Sequence, residues 1–161
     1  MKKIKILNIT QSFGGVETYL KLVVQHINRD KFEIVIATPE GESLQSFCRQ
    51  YDVPHHVINL SRSFNPVKDI SSFFKIISLI RKEKPDVVHL HSAKAGFLGR
   101  IVTKMMGRKS VFSPHGGSYL SFTGVKRIMF FLLEVIGKKS SYKALAISQS
   151  EALRMIYEIG F

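Results

Sequence analysis

Residues 86–100 read DVVHLHSAKAGFLGR. The first seven residues are strand-forming, and from Lys94 the pattern turns helical until Gly107 ends it. A glycine just past the last periodic residue is the usual helix stop. Pro85, directly before, ends whatever helix precedes the strand. A strand that runs straight into a helix is one half of a strand-helix-strand crossover. The rest of the chain repeats it.

Upstream, IKILNIT (4–10) is β-branched and apolar without clean alternation, as expected of a strand buried on both faces. The turn Gln11-Ser12-Phe13-Gly14-Gly15 follows, and Val16, Leu20, Val23, Val24 and Ile27 then fall at helical spacing. FEIVIAT (32–38) is a second strand, and Leu44, Phe47, Cys48 and Tyr51 mark a short helix. HHVINL (55–60) reads as a third strand. Asn65-Pro66 opens a helix with Asn as cap and Pro at the first position; its apolar face is read as Ile70, Phe73, Phe74, Ile77 and Ile80.

Downstream, SVF (110–112) is a strand, Val125 to Gly137 a helix and ALAIS (144–148) a strand. Ser148 and Glu151 have the spacing of a capping box on a last helix that ends near Gly160. Such alternation predicts an α/β fold: a Rossmann-like parallel sheet with helices on both faces.

Composition agrees with one globular domain. The chain has 161 residues, 45% of them hydrophobic. A single cysteine, Cys48, excludes an intrachain disulfide and a cysteine metal cluster, and fits a cytoplasmic setting. The net charge of +12 is unevenly spread. Residues 62–143 hold 16 basic and 4 acidic side chains, whereas 1–61 hold 7 and 6 and 144–161 hold 1 and 2. A segment so basic suits an anionic partner, or a merely soluble surface.

In an open parallel sheet, ligands bind outside the carboxyl ends of the strands. Gly14-Gly15 stand at the end of the first strand; His91, Ser92 and Lys94 follow the fourth; His115, Gly116 and Gly117 follow the fifth. Gly, His, Ser and Lys at one edge suit a phosphorylated polar ligand. Gly14-Gly15 lets backbone N–H groups approach a phosphate at a helix start, although a tight turn alone would also explain it. No G-x-G-x-x-G or G-x-x-x-x-G-K-S/T motif is present.

His89 and His91 share a strand face. His89 reads as a satisfied core histidine and His91, at the strand end, as a functional candidate; His55-His56 receive no role. A metal site on this pair is conceivable, but two histidines without a nearby carboxylate are a thin set of ligands. Lys94 at a helix start opposes the helix dipole, which hints at an anion nearby. VKRIMFFLLEVIGKK (125–139) has an apolar run, Ile128 to Leu133, between the pairs Lys126-Arg127 and Lys138-Lys139. It is too short to span a bilayer. A buried helix is the usual outcome; an interfacial helix on anionic lipid is the alternative.

Taken together, GGVETYL (14–20), DVVHLHSAKAGFLGR (86–100), SPHGG (113–117) and AISQSE (146–151) resemble, in order and spacing, the amino-terminal domain of glycosyltransferase family 4 (glycosyl transferases group 1). The resemblance covers nearly the whole chain. It implies one half of a GT-B architecture, with residues 1–161 as the acceptor-side domain.

It further implies a retaining enzyme that takes sugar from a nucleotide-sugar, a co-substrate, with no cofactor and usually no metal. Gly14, Gly15 and Gly116 would lie near the donor phosphates and sugar, His115 at the reacting centre, and His91 and Lys94 on the acceptor side. A lipid-linked or polysaccharide acceptor, and a peripheral place at the inner membrane face, follow from the basic segment. Lys126, Arg127, Lys138 and Lys139 are its membrane-surface candidates.

The Glu-x7-Glu motif of the family's donor half does not occur in these residues. The expectation is therefore an acceptor-side fragment, inactive alone. The competing class is a non-enzymatic basic module for nucleic acid or an anionic membrane. Nucleic acid is not expected, since no stacking or nucleic-acid fold signature is present.

Overall fold

The computed structural model describes residues 2–11, 13–60 and 65–161; Ser12, part of the turn read above, lies outside them. Six strands form one parallel sheet: β1 (Ile4–Thr10), β2 (Phe32–Thr38), β3 (His55–Val57), β4 (Val87–His91), β5 (Lys109–Ser113) and β6 (Lys143–Ala144), in the order β3-β2-β1-β4-β5-β6. The helices are α1 (Gly15–His26), α2 (Glu42–Gln50), α3 (Pro66–Glu83), α4 (Ala93–Met105), α5 (Gly124–Lys138) and α6 (Gln149–Arg154). A 3₁₀ turn (Ser118–Ser121) precedes α5, and a π turn (Met155–Ile159) extends α6.

The central strands are buried on both faces, as their unalternating apolar runs require. Leu7, Ile9, Val35, Ala37, Val88, Leu90 and Phe112 pack on one side against Ile76, Leu79 and Ile80 of α3 and Ala95 and Val102 of α4. Ile34 and Ile36 pack on the other against Val16, Leu20 and Val24 of α1 and Leu44 and Cys48 of α2. This is the expected Rossmann-like layering.

Several expectations need correction. The third strand is three residues, not six, and the sixth is two, not five. Both lie at the sheet edges, with one neighbour each, so ladder bonds hold them from one side only. On α3 the buried residues are Ser72, Ile76, Leu79 and Ile80; Ile70 and Phe74 point outward. The rest of the expected face holds, with Ile80 buried and Phe73 and Ile77 packed against the core, while Val67, Ile70 and Phe74 form an exposed apolar stripe.

α5 is not the buried helix expected from its composition. Only Glu134 and Gly137 are buried on it. Val125, Ile128, Leu132 and Ile136, spaced three and four apart, are 82%, 60%, 50% and 58% exposed. Its inner face carries the half-buried Phe130, Phe131 and Leu133, and between them Glu134 meets Arg100, which crosses from α4. The Arg100 guanidinium is fully buried, donates to Glu134 at 2.8 Å and lies 4.0 Å over the Phe112 ring. Gly137 makes the room: a Cβ there would stand 2.5 Å from the guanidinium carbon.

Candidate functional site

The strand order reverses between β1 and β4, since the chain proceeds outward from β1 through β2 on one side and from β4 through β5 on the other. That switch point opens a crevice at the carboxyl edge. Asn8 and Thr10 stand on β1 opposite His89 and His91 of β4. Asn8 and His91 are fully buried, and His91 Nε2 lies 3.2 Å from Asn8 Oδ1.

β5 adds the third histidine. His115, half-buried just past the strand, brings its Nε2 to 2.8 Å from His91 Nδ1. Ser113 donates its hydroxyl to the Leu145 carbonyl at 2.8 Å. It therefore accepts from His89 Nε2, 2.9 Å away, which makes His89 the Nε2–H tautomer. Tyr19 of α1 covers the group, its ring centroid 6.1, 5.6 and 5.3 Å from His89, His91 and His115.

Burial holds all three imidazoles neutral. It lowers His89 to about 4, with His115 adding to the effect, and holds His91 well below the usual imidazole range, with His89 and His115 adding there. His115 is also lowered by burial, opposed by the Glu151 carboxylate.

The backbone is strained at the same edge. Ser92 (φ 65°, ψ 174°) and His115 (φ 54°) occupy the positive-φ region without being glycine. Ser92 falls where almost only glycine is found. Such strain persists only where the surroundings over-determine it, and it clusters at functional sites. Gly116 follows at φ 86°, which a side chain would resist. Glu151 fastens the turn: its Oε1 accepts from Gly116 N at 2.7 Å and its Oε2 from Ile147 N at 2.8 Å. Ser148 caps α6 as expected, but the Glu151 carboxylate reaches Ile147 and Gly116 rather than the cap residue.

The expected site residues divide clearly. His115 stands at the edge. Gly14 and Gly15 are exposed at the start of α1, Gly14 with φ 84° as its cap. Gly116 is exposed, yet its N–H is already taken by Glu151. His91 is too buried to line a surface and instead touches His115. The anion facing Lys94 is the protein's own Asp69, 2.5 Å away on α3. Lys126, Arg127 and Lys139 are exposed, but Lys138 donates to the carbonyls of Ile159 and Gly160, so it closes the π turn.

Asn8, Tyr19, Arg100 and Glu151 were not foreseen as site or core residues. A lone amide inside IKILNIT was the signal for Asn8. Glu151 was hidden by its cap spacing, which already explained it.

Beside this edge lies a cavity of about 300 Å³ between α3, α4 and α5. Ile70, Phe97, Leu98, Phe130 and Leu133 line it, with the Asp69–Lys94 pair at its border. Pro66 and Ala93, at the starts of α3 and α4, set it at the carboxyl side of the sheet.

The chain is 26% identical over 164 residues to UDP-Gal:alpha-D-GlcNAc-diphosphoundecaprenol alpha-1,3-galactosyltransferase of Escherichia coli, matching 98% of this chain and 42% of that protein. It is 28% identical over 128 residues to the capsular polysaccharide biosynthesis glycosyltransferase CapM of Staphylococcus aureus, matching 79% and 33%. The chain thus spans less than half the length of these relatives. Its fold matches that of Anabaena HepE, crystallised with UDP and glucose, at a TM-score of 0.74 and 20% identity, over 98% of this chain and 42% of that one. The family model for Glycosyltransferase Family 4 matches residues 13–160, and with nearly its whole length so accounted for, the chain belongs to that family.

Proposed function

We propose that these residues form the acceptor-side half of a retaining glycosyltransferase that moves a sugar from a uridine-diphosphate sugar to a lipid-linked acceptor in cell-surface glycan synthesis. The observation that carries the reading is the pairing, at one sheet edge, of a polar histidine site with an apolar cavity. His115 offers a hydrogen-bonding imidazole where a sugar would sit. The cavity between α3, α4 and α5 suits the hydrocarbon next to a lipid-linked head group. The relatives' names, a diphosphoundecaprenol galactosyltransferase and a capsular glycosyltransferase, support the same substrate class.

Each part has a physical task. The first turn of α1 follows Gly14 without a capping side chain, so its N–H groups and the helix dipole attract the donor diphosphate. Glu17 in that turn is held by Lys21 and Ser43, at 2.8 Å each. His115, neutral at pH 7, hydrogen-bonds a hydroxyl near the reacting carbon. The nucleotide-sugar is a co-substrate; the reading invokes no cofactor, metal or nucleic acid.

Among the described residues no helix is long and apolar enough to cross a membrane. The exposed stripe on α5, with Lys126 and Arg127 at its start, is suited to shallow insertion at an anionic inner-membrane surface.

The test uses the whole protein with a labelled UDP-sugar and an undecaprenyl-diphosphate-linked sugar in vesicles. The expected result is label in the lipid extract, dependent on the acceptor, with the anomeric configuration of the donor kept. The 161-residue chain alone transfers nothing. Label released as free sugar regardless of acceptor overturns the reading, and an inverted product overturns the retaining mechanism.

A further inference from the structure

Two buried side chains, Asn8 and His91, and the half-buried His115 form a single hydrogen-bonded line from the middle of the sheet to its edge. We propose that Asn8 and His91 are positioning residues, which fix His115 as the tautomer with its proton on Nε2 and leave Nδ1 to accept a hydrogen bond from a hydroxyl of the bound sugar.

The direction follows from donor and acceptor chemistry. Asn8 Oδ1 can only accept, so His91 Nε2, 3.2 Å away, carries a proton. A neutral imidazole has one N–H, so His91 Nδ1 is a bare lone pair. The 2.8 Å contact between His91 Nδ1 and His115 Nε2 needs one hydrogen, and His115 must supply it. The His115 Nδ1 lone pair is what remains. His115 then accepts from a hydroxyl and does not donate a proton to a leaving group.

The groups facing this line agree. His89 is tied to Ser113 and competes for neither bond. Tyr19 covers the rings from α1. Glu151, the carboxylate acting on His115, spends both oxygens on the Gly116 and Ile147 N–H groups. Burial keeps His91 neutral, so a second proton on it does not blur the direction.

One amide therefore sets the line. Asn8 Nδ2 is buried without a hydrogen-bond partner among the described residues. Turning the amide over would present that N–H to His91, reverse both bonds and move the His115 proton to Nδ1.

The role of Nδ1 rests on the glycosyl-transfer reading above; the tautomer does not. Ring-nitrogen ¹⁵N shifts of the 161-residue chain at pH 7.5 read it directly. Nε2–H on both His91 and His115 is the expected result. Nδ1–H on His115, or a mixture, overturns the proposal whether or not the whole protein transfers sugar.

In the whole protein, Asn8→Leu should lower kcat by roughly 10-fold or more while leaving the donor KM near normal. The figure is modest beside the ~10⁴ loss that a wrong histidine tautomer causes in a serine-protease triad. Asn8→Asp, which keeps an acceptor oxygen, should restore most of the kcat. Unchanged kcat in folded Asn8→Leu overturns the positioning role. Should Asn8→Leu not fold, the ¹⁵N result on the unaltered chain still decides the tautomer.

Discussion

Replacing Glu134 by leucine removes the carboxylate that neutralises the buried Arg100 guanidinium. Arg100 is fully buried and its Nη1 already has no hydrogen-bond partner among the described residues. Burial alone pulls its pKa down, and Glu134 is the charge that opposes this. With Glu134 gone, Arg100 keeps its Nε bond to the Gly96 carbonyl at 3.0 Å and its stacking on Phe112. Breaking a buried pair from one side costs about 3–5 kcal/mol. At about 2–4 °C per kcal/mol for a chain of this size, Tm should fall by roughly 6–20 °C.

Arg100→Met combined with Glu134→Leu removes both charges and should regain most of that loss, since apolar replacement of a buried pair is often neutral or stabilising. Thermal and urea melts of the chain read both variants, and an unchanged m-value assures a common reference. A loss below about 1 kcal/mol for Glu134→Leu would refute the argument, measured against that ~3–5 kcal/mol scale. So would a double variant no more stable than the single.

The other predictions concern the histidines and the surface. His89 is depressed from 6.5 to about 4, so between those values the unfolded chain binds more protons. Its contribution, about 3 kcal/mol at 1.36 per unit, is complete above about pH 6.5 and is lost as pH falls towards 4; urea midpoints across that range should follow, with a flatter curve for His89→Gln. In the whole enzyme, His115→Ala should lower kcat about 100-fold with the fold intact by circular dichroism, the usual scale for a positioned catalytic group; near-normal turnover would remove His115 from the site. The chain should co-sediment with anionic but not neutral vesicles and be released by salt, and either Lys126→Glu with Arg127→Glu or Ile128→Glu with Leu132→Glu should abolish binding. Equal, negligible binding to both vesicle types would leave α5 without a membrane role.

Periodicity alone carried the architecture. Apolar runs such as IKILNIT and DVVHLHS alternate with helical spacing, and only a parallel sheet with helices on both faces buries strands of that kind. It also brought Gly14, His91 and His115 to the carboxyl edge, because strand ends follow from strand direction. Helix orientation was less legible. The stripe Val67, Ile70, Phe74 and the stripe Val125, Ile128, Leu132, Ile136 have the spacing of core faces, yet both are exposed. Spacing reports that a face is apolar and says nothing of what covers it.

Tertiary structure decided the rest, wherever partners are distant in sequence. Lys94 looked like an anion site until α3 set Asp69 against it, 25 residues away. His91 looked like a surface ligand until Asn8, 83 residues away, and His115 enclosed it. On α5 the buried place went to Glu134, because Arg100, 34 residues away, reaches it there. Hydrogen bonds and ion pairs are short-ranged and directional, so a sequence can supply the donors and acceptors while only the packed sheet determines which of them meet.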